Sequence, residues 1–206
     1  MKIGSKKDKI YDSEHLLNYS YQQFEFWINK TWSWTIENRN VFENWIKYLN
    51  NDESCEWSLD KGIILAGNNG SGKTTMLKWF SHFTKYSDFP NQKKFYVKHT
   101  QDIIDKIMIE KDISIVNAYY SRLDNKSLGI DEIGTESKLN IWGSEFHPIR
   151  QIITNRYDNN LLTFATTNLT LDQMKVNYGS RLHSRLLDFN FVRMTSKVDY
   201  RIKISS

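Results

Sequence analysis

Apolar residues in the first fifty positions recur with the period of an α-helix. Residues 13–29 are predicted to form one helix, with Ser13 as a candidate N-cap. A second helix is predicted over 37–49, where apolar side chains fall at the i, i+3, i+4 and i+7 positions: Phe42, Trp45, Ile46 and Leu49. The polar stretch 50–60 then connects these helices to a segment with a different pattern of apolar residues.

From Lys61 onward, short apolar runs alternate with amphipathic stretches. Strands are predicted at 61–67, 93–99, 127–131 and 161–167. Helices are predicted after the first strand, after the second, where Thr100 is a candidate cap, and over 145–157.

Strands that alternate with helices indicate parallel βαβ units and a three-layer α/β fold. Residues 189–196 and 199–204 are candidates for final strands of the same sheet. The pattern therefore predicts a short helical N-terminal extension, 1–58, followed by an α/β domain over 59–206.

The first predicted strand ends in a phosphate-binding loop. Its residues match the pattern G-x-x-x-x-G-K-[ST] and are Gly67, Asn68, Asn69, Gly70, Ser71, Gly72, Lys73 and Thr74. Glycines let backbone N–H groups turn toward a phosphate, and the following helix adds its positive dipole end. Lys73 is expected on the β- and γ-phosphates, Thr74 on Mg²⁺, and Thr75 on the α-phosphate.

A second acidic element follows the strand at 127–131. Asp131 is the predicted partner of Thr74 in holding Mg²⁺, directly or through water. Glu132 comes next and is placed to polarise a water for attack on the γ-phosphate. Two carboxylates in tandem favour hydrolysis, since a kinase does not need the second one; a solvated acidic turn is the alternative.

The strand at 161–167 ends in a polar side chain, that of Asn168. Beside a phosphate loop, this amide is a candidate for positioning the attacking water or sensing the γ-phosphate. The alternative is an asparagine that caps the following helix.

Other P-loop classes fit the sequence less well. The stretch Asn125-Lys126-Ser127-Leu128 has leucine where the base-recognition motif N-K-x-D of GTPases requires aspartate, and no L-S-G-G-Q stretch of a transporter ATPase is present. A small-molecule kinase remains an alternative on size, although 132–160 does not look like an arginine-rich lid.

Five motifs together resemble one group of ATPases. KGIILAGNNGSGKTT, LGIDEIGTES, a helix ending in NRYD, FATTNL and YGSRLHSRL occur in this order over about residues 60–203. They resemble the AAA+ ATPases of the bacterial DnaC-like helicase-loader group, with the IstB-like transposition helpers as close cousins. The resemblance implies ATP and Mg²⁺ as cofactors, a role around DNA, and assembly into rings or spirals.

The resemblance also assigns roles to arginines near the C-terminus. In that family the second arginine of G-x-R-x-x-x-R, here Arg185, is a finger that reaches the γ-phosphate bound by the adjacent subunit. A guanidinium delivered in trans accelerates phosphoryl transfer by about 10³–10⁵. Arg181 lies one helical turn earlier and is expected at the same subunit interface, while two solvated arginines are the alternative. Arg201 resembles a further nucleotide-contacting arginine of the family.

Composition and charge indicate the class of protein and are compatible with, but do not identify, a binding partner. Hydrophobic residues make up 39% and charged residues 25% of the chain, which is typical of a globular protein. The net charge of +4 is compatible with a polyanionic partner, although the basic residues are scattered. Cys55 is the single cysteine, and no apolar segment is long enough to span a membrane, so we expect a cytoplasmic protein.

The N-terminal extension is rich in aromatic residues. Trp32 and Trp34 alternate with polar residues, and two interpretations stay open. They pack on the sheet, or they are exposed for a partner or a nucleic-acid base.

The sequence therefore predicts a Mg-ATP-hydrolysing AAA+ protein that acts on DNA. We expect it to lack the usual C-terminal helical lid, to form homo-oligomers, and to hydrolyse ATP weakly when isolated. Its expected partners are DNA, single-stranded and read without sequence specificity, and a replicative helicase. The alternative is an IstB-like helper of transposition, which has the same motor but a transposase as its partner.

Overall fold

The computed structural model describes residues 10–28, 32–112, 114, 127–136, 139–141 and 144–195 of the chain. The helices are α1 (Ser13–Ile28), α2 (Ile36–Leu49), α3 (Lys73–Lys85), α4 (Thr100–Glu110), α5 (Pro148–Asp158), α6 (Leu171–Tyr178) and α7 (Ser180–Leu186). The strands are β1 (Ile63–Ala66), β2 (Phe95–His99), β3 (Ser127–Ile133), β4 (Leu139–Ile141), β5 (Ser144–Phe146), β6 (Thr163–Thr167) and β7 (Asn190–Arg193).

Five strands form one parallel sheet in the order β2-β3-β6-β1-β7. Strand β1 therefore lies between β6 and β7, and β6 separates it from β3. Because parallel strands end at the same edge of a sheet, the segments that follow β1, β3 and β6 are neighbours in space. The remaining strands, β4 and β5, form an antiparallel pair outside this sheet.

Both faces of the sheet are covered, which confirms the predicted three-layer α/β fold. Side chains alternate between the faces along a strand. In β1, Ile63 and Leu65 pack with apolar residues of α1, α2 and α3. Ile64 points the other way and packs with residues of α4, α5, α6 and α7.

The face toward α1, α2 and α3 is built largely from aromatic rings. Trp45 of α2 stacks on Phe80 of α3, with ring centroids 4.3 Å apart, and is fully buried. Trp32 and Trp34 are half-buried, and both pack against Phe24 of α1. Both tryptophans therefore pack against α1 and keep part of their surface exposed.

Two predicted helix caps are wrong by one residue. Ser13 is the first residue of α1, and the side chain that caps this helix is that of Asp12, whose Oδ1 accepts from the His15 N–H at 2.9 Å. Helix α4 begins at Thr100, and its cap is His99, whose ring accepts from the Gln101 N–H. In both cases, the preceding side chain has an acceptor that reaches the free N–H groups of the first turn.

The helix predicted over 145–157 begins later, at Pro148. Proline suits the first helical turn because it has no N–H to leave unpaired. Residues 144–146 form strand β5, which pairs with β4. The helix after β3 is thus shorter at its start and reaches Asp158 at its end.

The predicted strand at 189–196 is present as β7, but the candidate strand 199–204 lies outside the described residues. Arg201 lies there too. Among the residues that the structure describes, no helix combines the length and apolar character needed to cross a membrane.

The buried position of Trp45 leads to a stability prediction. We expect Trp45→Ala to lower the free energy of unfolding by about 3–5 kcal/mol, because a fully buried indole leaves a large cavity. The matched control is Phe26→Ala on α1, where the ring is 85% exposed and the expected change is within about 0.5 kcal/mol. Urea denaturation measures both, and equal losses in the two variants would contradict the assigned core.

Candidate functional site

The predicted phosphate loop connects β1 to α3 in the expected way. Gly70 and Gly72 have φ angles of 77° and 90°, in the region that glycine adopts readily. Lys73 is the first residue of α3, and its Nζ donates to the carbonyl oxygens of Gly67 at 2.9 Å and Asn68 at 2.8 Å. The ammonium group is thereby held against the backbone at the start of the loop.

Asp131 lies next to this loop and is almost completely buried. Its Oδ1 accepts from the Thr74 hydroxyl at 2.8 Å and from the Thr166 hydroxyl at 2.7 Å. Lys78 of α3 lies 3.7 Å from Oδ2. The structure therefore brings together the two residues predicted to hold Mg²⁺. A carboxylate and a hydroxyl oxygen in contact fit the oxygen ligands that Mg²⁺ prefers.

Glu132 sits at an irregularity of strand β3. The pairing of β3 with β6 shifts between Ile130 and Ile133, so that β3 contains one extra residue. Glu132 has a φ angle of 64°, which is uncommon for residues other than glycine and asparagine. Its N–H donates to the Thr166 hydroxyl at 2.8 Å, and this bond fixes the bulge beside Asp131.

The side chain of Glu132 pairs with a residue that the sequence reasoning missed. His99, at the end of the neighbouring strand β2, has its Nε2 3.0 Å from Oε2 of Glu132. Because Nδ1 of His99 accepts from the Gln101 N–H at 3.1 Å, the proton of a neutral ring lies on Nε2 and is donated to the carboxylate. Its position at a strand end beside β3 was the signal that could have identified it.

Asn168 follows β6 at the same edge of the sheet and is exposed. The preceding residue, Thr167, accepts a backbone bond from the Gly67 N–H at 3.1 Å, so Asn168 is adjacent to the start of the phosphate loop. The alternative role as a helix cap is wrong, because Thr170 caps α6 by accepting from the Gln173 N–H.

The loop after β3 is tied to α6. Oε2 of Glu136 accepts from the Gly134 N–H at 2.7 Å, while its other oxygen accepts from the hydroxyl of Tyr178. Burial and the neighbouring Glu136 carboxylate raise the pKa of Tyr178, so its hydroxyl remains a neutral donor. The bond anchors the segment that follows Asp131 and Glu132.

The two arginines of α7 have different surroundings. Arg181 is exposed. Arg185 is paired with Asp158, the last residue of α5, through Nε–Oδ1 and Nη2–Oδ1 distances of 3.0 and 2.8 Å. Asp158 is a further residue that the sequence reasoning missed, because it lies 27 positions away in the chain.

Arg156 has a structural role. The side chain is only 2% exposed. Its Nε donates to the Thr163 hydroxyl at 2.9 Å and its Nη2 to the Leu162 carbonyl at 2.8 Å. It therefore joins the end of α5 to the start of β6.

A tryptophan of the N-terminal extension covers the phosphate loop. A methyl group placed on Gly72 would lie 2.5 Å from Cη2 of Trp32. The indole thus contacts the backbone of the loop immediately before Lys73, which no local sequence pattern indicated.

The sheet order and the phosphate loop after β1 together define a three-layer α/β fold of the P-loop type. No protein-family model matches the chain, and no curated protein matches it.

Solved structures share this fold at low sequence identity. A crystal structure of the DnaC helicase loader is 21% identical over 80% of this chain and 93% of its own, with a TM-score of 0.51. A putative primosome component from Streptococcus pyogenes serotype M3 is 15% identical over 79% of this chain and 81% of its own, with a TM-score of 0.56. The replication initiator DnaA bound to AMPPCP and single-stranded DNA is 16% identical over 93% of this chain, with a TM-score of 0.57. This chain spans about half of that DnaA chain, 53%.

The contact between Gly72 and Trp32 can be tested by a double-mutant cycle. We expect Gly72→Ala to lower the free energy of unfolding by more than the about 1–2 kcal/mol of left-handed backbone strain, because the new methyl group also overlaps the indole. Adding Trp32→Leu should remove the overlap but not the strain. Urea denaturation of Gly72→Ala, Trp32→Leu and the double variant measures the coupling. Additive losses would show that the indole does not lie on the loop.

Proposed function

We propose that the chain is a Mg-ATP-hydrolysing AAA+ protein that acts on DNA as a helicase-loader-like factor in replication. The observation that carries this proposal is the contact of Thr74 with Asp131, 2.8 Å between Oγ1 and Oδ1, at the mouth of the phosphate loop. Release of inorganic phosphate from ATP by the purified protein, without transfer to another molecule, tests the activity.

The positions of the loop residues support the roles proposed for them. The backbone N–H groups of 67–74 and the ammonium of Lys73 bind the phosphates, and Thr75 on α3 contacts the α-phosphate. Thr74 and Asp131 hold Mg²⁺, which neutralises charge on the β- and γ-phosphates when bound. To bind phosphate, Lys73 exchanges its two backbone carbonyl partners for phosphate oxygens.

Glu132 is the proposed base that polarises the attacking water. His99 donates to its carboxylate and orients it, so His99 acts on the reaction through Glu132. Asn168 supports the same water from the neighbouring strand end, where its amide is exposed.

The active site is proposed to be completed between subunits. Arg185 supplies a guanidinium to the γ-phosphate bound by a second copy, and exposed Arg181 contributes to the same interface. An isolated chain then hydrolyses ATP slowly, because its own site lacks this charge. Arg201 remains a predicted nucleotide contact from the sequence alone.

The partner is proposed from the names of the structures that share the fold. They include a helicase loader, a putative primosome component and a replication initiator bound to single-stranded DNA, and these names belong to DNA replication rather than to transposition. This favours single-stranded DNA and a replicative helicase over a transposase.

The finger role of Arg185 is tested by subunit mixing. We expect Arg185→Ala to keep ATP binding and to lose the hydrolysis that subunit assembly stimulates. The charge that develops on the γ-phosphate in the transition state is then no longer stabilised by a guanidinium. Lys73→Ala is expected to lose ATP binding. Mixing the two inactive variants should restore part of the phosphate release, since some interfaces then combine an intact loop with an intact finger.

The matched control for this experiment is Arg150→Ala, which removes an exposed arginine of α5 and should leave hydrolysis unchanged. Mixed variants that stay inactive, while the wild-type protein hydrolyses ATP as a monomer, would contradict a site shared between subunits.

DNA binding is tested by its salt dependence. With a non-hydrolysable ATP analogue present, we expect a single-stranded oligonucleotide to bind at low salt. Its affinity should fall steeply between 50 and 200 mM salt, as about one counterion is released per phosphate contact. Fluorescence anisotropy measures this slope, and an oligonucleotide of unrelated sequence should behave alike. No binding at low salt would remove DNA from the proposed function.

A further inference from the structure

The side chain of Arg185 is engaged by its own chain on several sides. Its Nε and Nη2 form a bidentate pair with the Asp158 carboxylate, at 3.0, 2.8 and 3.1 Å, and its Nη1 donates to the Arg181 carbonyl at 3.3 Å. The guanidinium also lies over the ring of Tyr157, 5.5 Å from the centroid. The side chain is only 16% exposed, although α7 lies at the surface.

Asp158 is an unusual residue for its position. It is the last residue of α5, where the helix dipole disfavours a negative charge and favours a cation. A carboxylate at this position needs a compensating partner, and the forked guanidinium of Arg185 provides it. The pair therefore has an electrostatic reason to form in a single chain.

The ring under the guanidinium is held in place separately. The Tyr157 hydroxyl donates to Asp188, the ring of Tyr157 stacks near that of Phe189, and Lys61 lies 3.7 Å from the same Asp188 carboxylate. The surface that receives Arg185 is thus organised by residues outside α7.

We propose that Asp158 is a latch that holds Arg185 against its own chain and releases it when a second copy presents the γ-phosphate. This rests on the proposed role of Arg185 as a finger in trans. A guanidinium bound through its bidentate edge cannot offer that edge to a phosphate, so hydrolysis requires an exchange of anions, from carboxylate to triphosphate. Asp158 thereby raises the subunit concentration at which hydrolysis begins.

The test compares hydrolysis across protein concentration for the wild type and Asp158→Asn, which keeps the shape of the side chain and removes its charge. We expect the concentration that gives half-maximal hydrolysis to fall by about twofold to fivefold, corresponding to about 0.4–1 kcal/mol for a partly exposed ion pair. The maximal rate should not fall. Sedimentation with a non-hydrolysable ATP analogue should show assembly at a correspondingly lower concentration.

The matched control is Asp172→Asn, which removes the charge of an exposed aspartate on α6 and should leave the half-maximal concentration unchanged. If Asp158→Asn folds poorly, Tyr157→Leu removes the ring beneath the guanidinium and should shift the curve in the same direction.

The outcomes separate this inference from the proposed function. An unchanged or higher half-maximal concentration in Asp158→Asn, with Arg185→Ala inactive, overturns the latch and leaves the finger intact. Wild-type hydrolysis by Arg185→Ala overturns both. A lower half-maximal concentration in Asp158→Asn supports the latch when sedimentation shows Arg185→Ala and the double variant Asp158→Asn/Arg185→Ala assembling at equal concentrations.

Discussion

The site depends on one buried carboxylate, that of Asp131. A buried charge is costly unless hydrogen bonds compensate it. Here the compensation comes from Thr74 at the start of α3 and Thr166 at the end of β6. These two hydroxyls tie three chain segments, which are distant in sequence, to a single oxygen atom. The relative position of phosphate loop and acidic strand is therefore set by the same group that is proposed to hold Mg²⁺.

The bulge in β3 changes the direction of the second of two consecutive acidic residues. Neighbouring side chains of a regular strand point to opposite faces of the sheet, so Asp131 and Glu132 would diverge. The extra residue and the φ angle of 64° at Glu132 change its direction and allow a contact with His99 of β2. The backbone carbonyl of Glu132 accepts from the hydroxyls of Thr100 and Thr135, which offsets the cost of this conformation.

Sequence reasoning found the parts of the structure that local pattern encodes. The phosphate loop with its flanking strand and helix, Asp131, and the order of βα units all follow from residues that are adjacent in the chain. The cap of α4 by His99, the start of α5 at Pro148 and the pair of Arg185 with Asp158 were missed. Each depends on a competing neighbour or on a contact made in the folded chain, such as that of Arg185 with Asp158. For Asn168, the sequence left two roles open. The structure excludes the capping role, which Thr170 takes, while the catalytic role remains a prediction.

The N-terminal extension packs directly against the phosphate loop. Trp32 lies on Gly72 and packs edge-to-face on Phe24, with centroids 5.1 Å apart, and Phe24 packs in turn on Trp79 of α3. Helix α3 begins at Lys73, directly after Gly72. These contacts therefore start at the end of the phosphate loop and lead back to the helix that follows it. Close-packed aromatic side chains have little free volume to absorb a displacement. A displacement of the loop at Gly72 is therefore resisted by Trp32 and by the rings packed behind it.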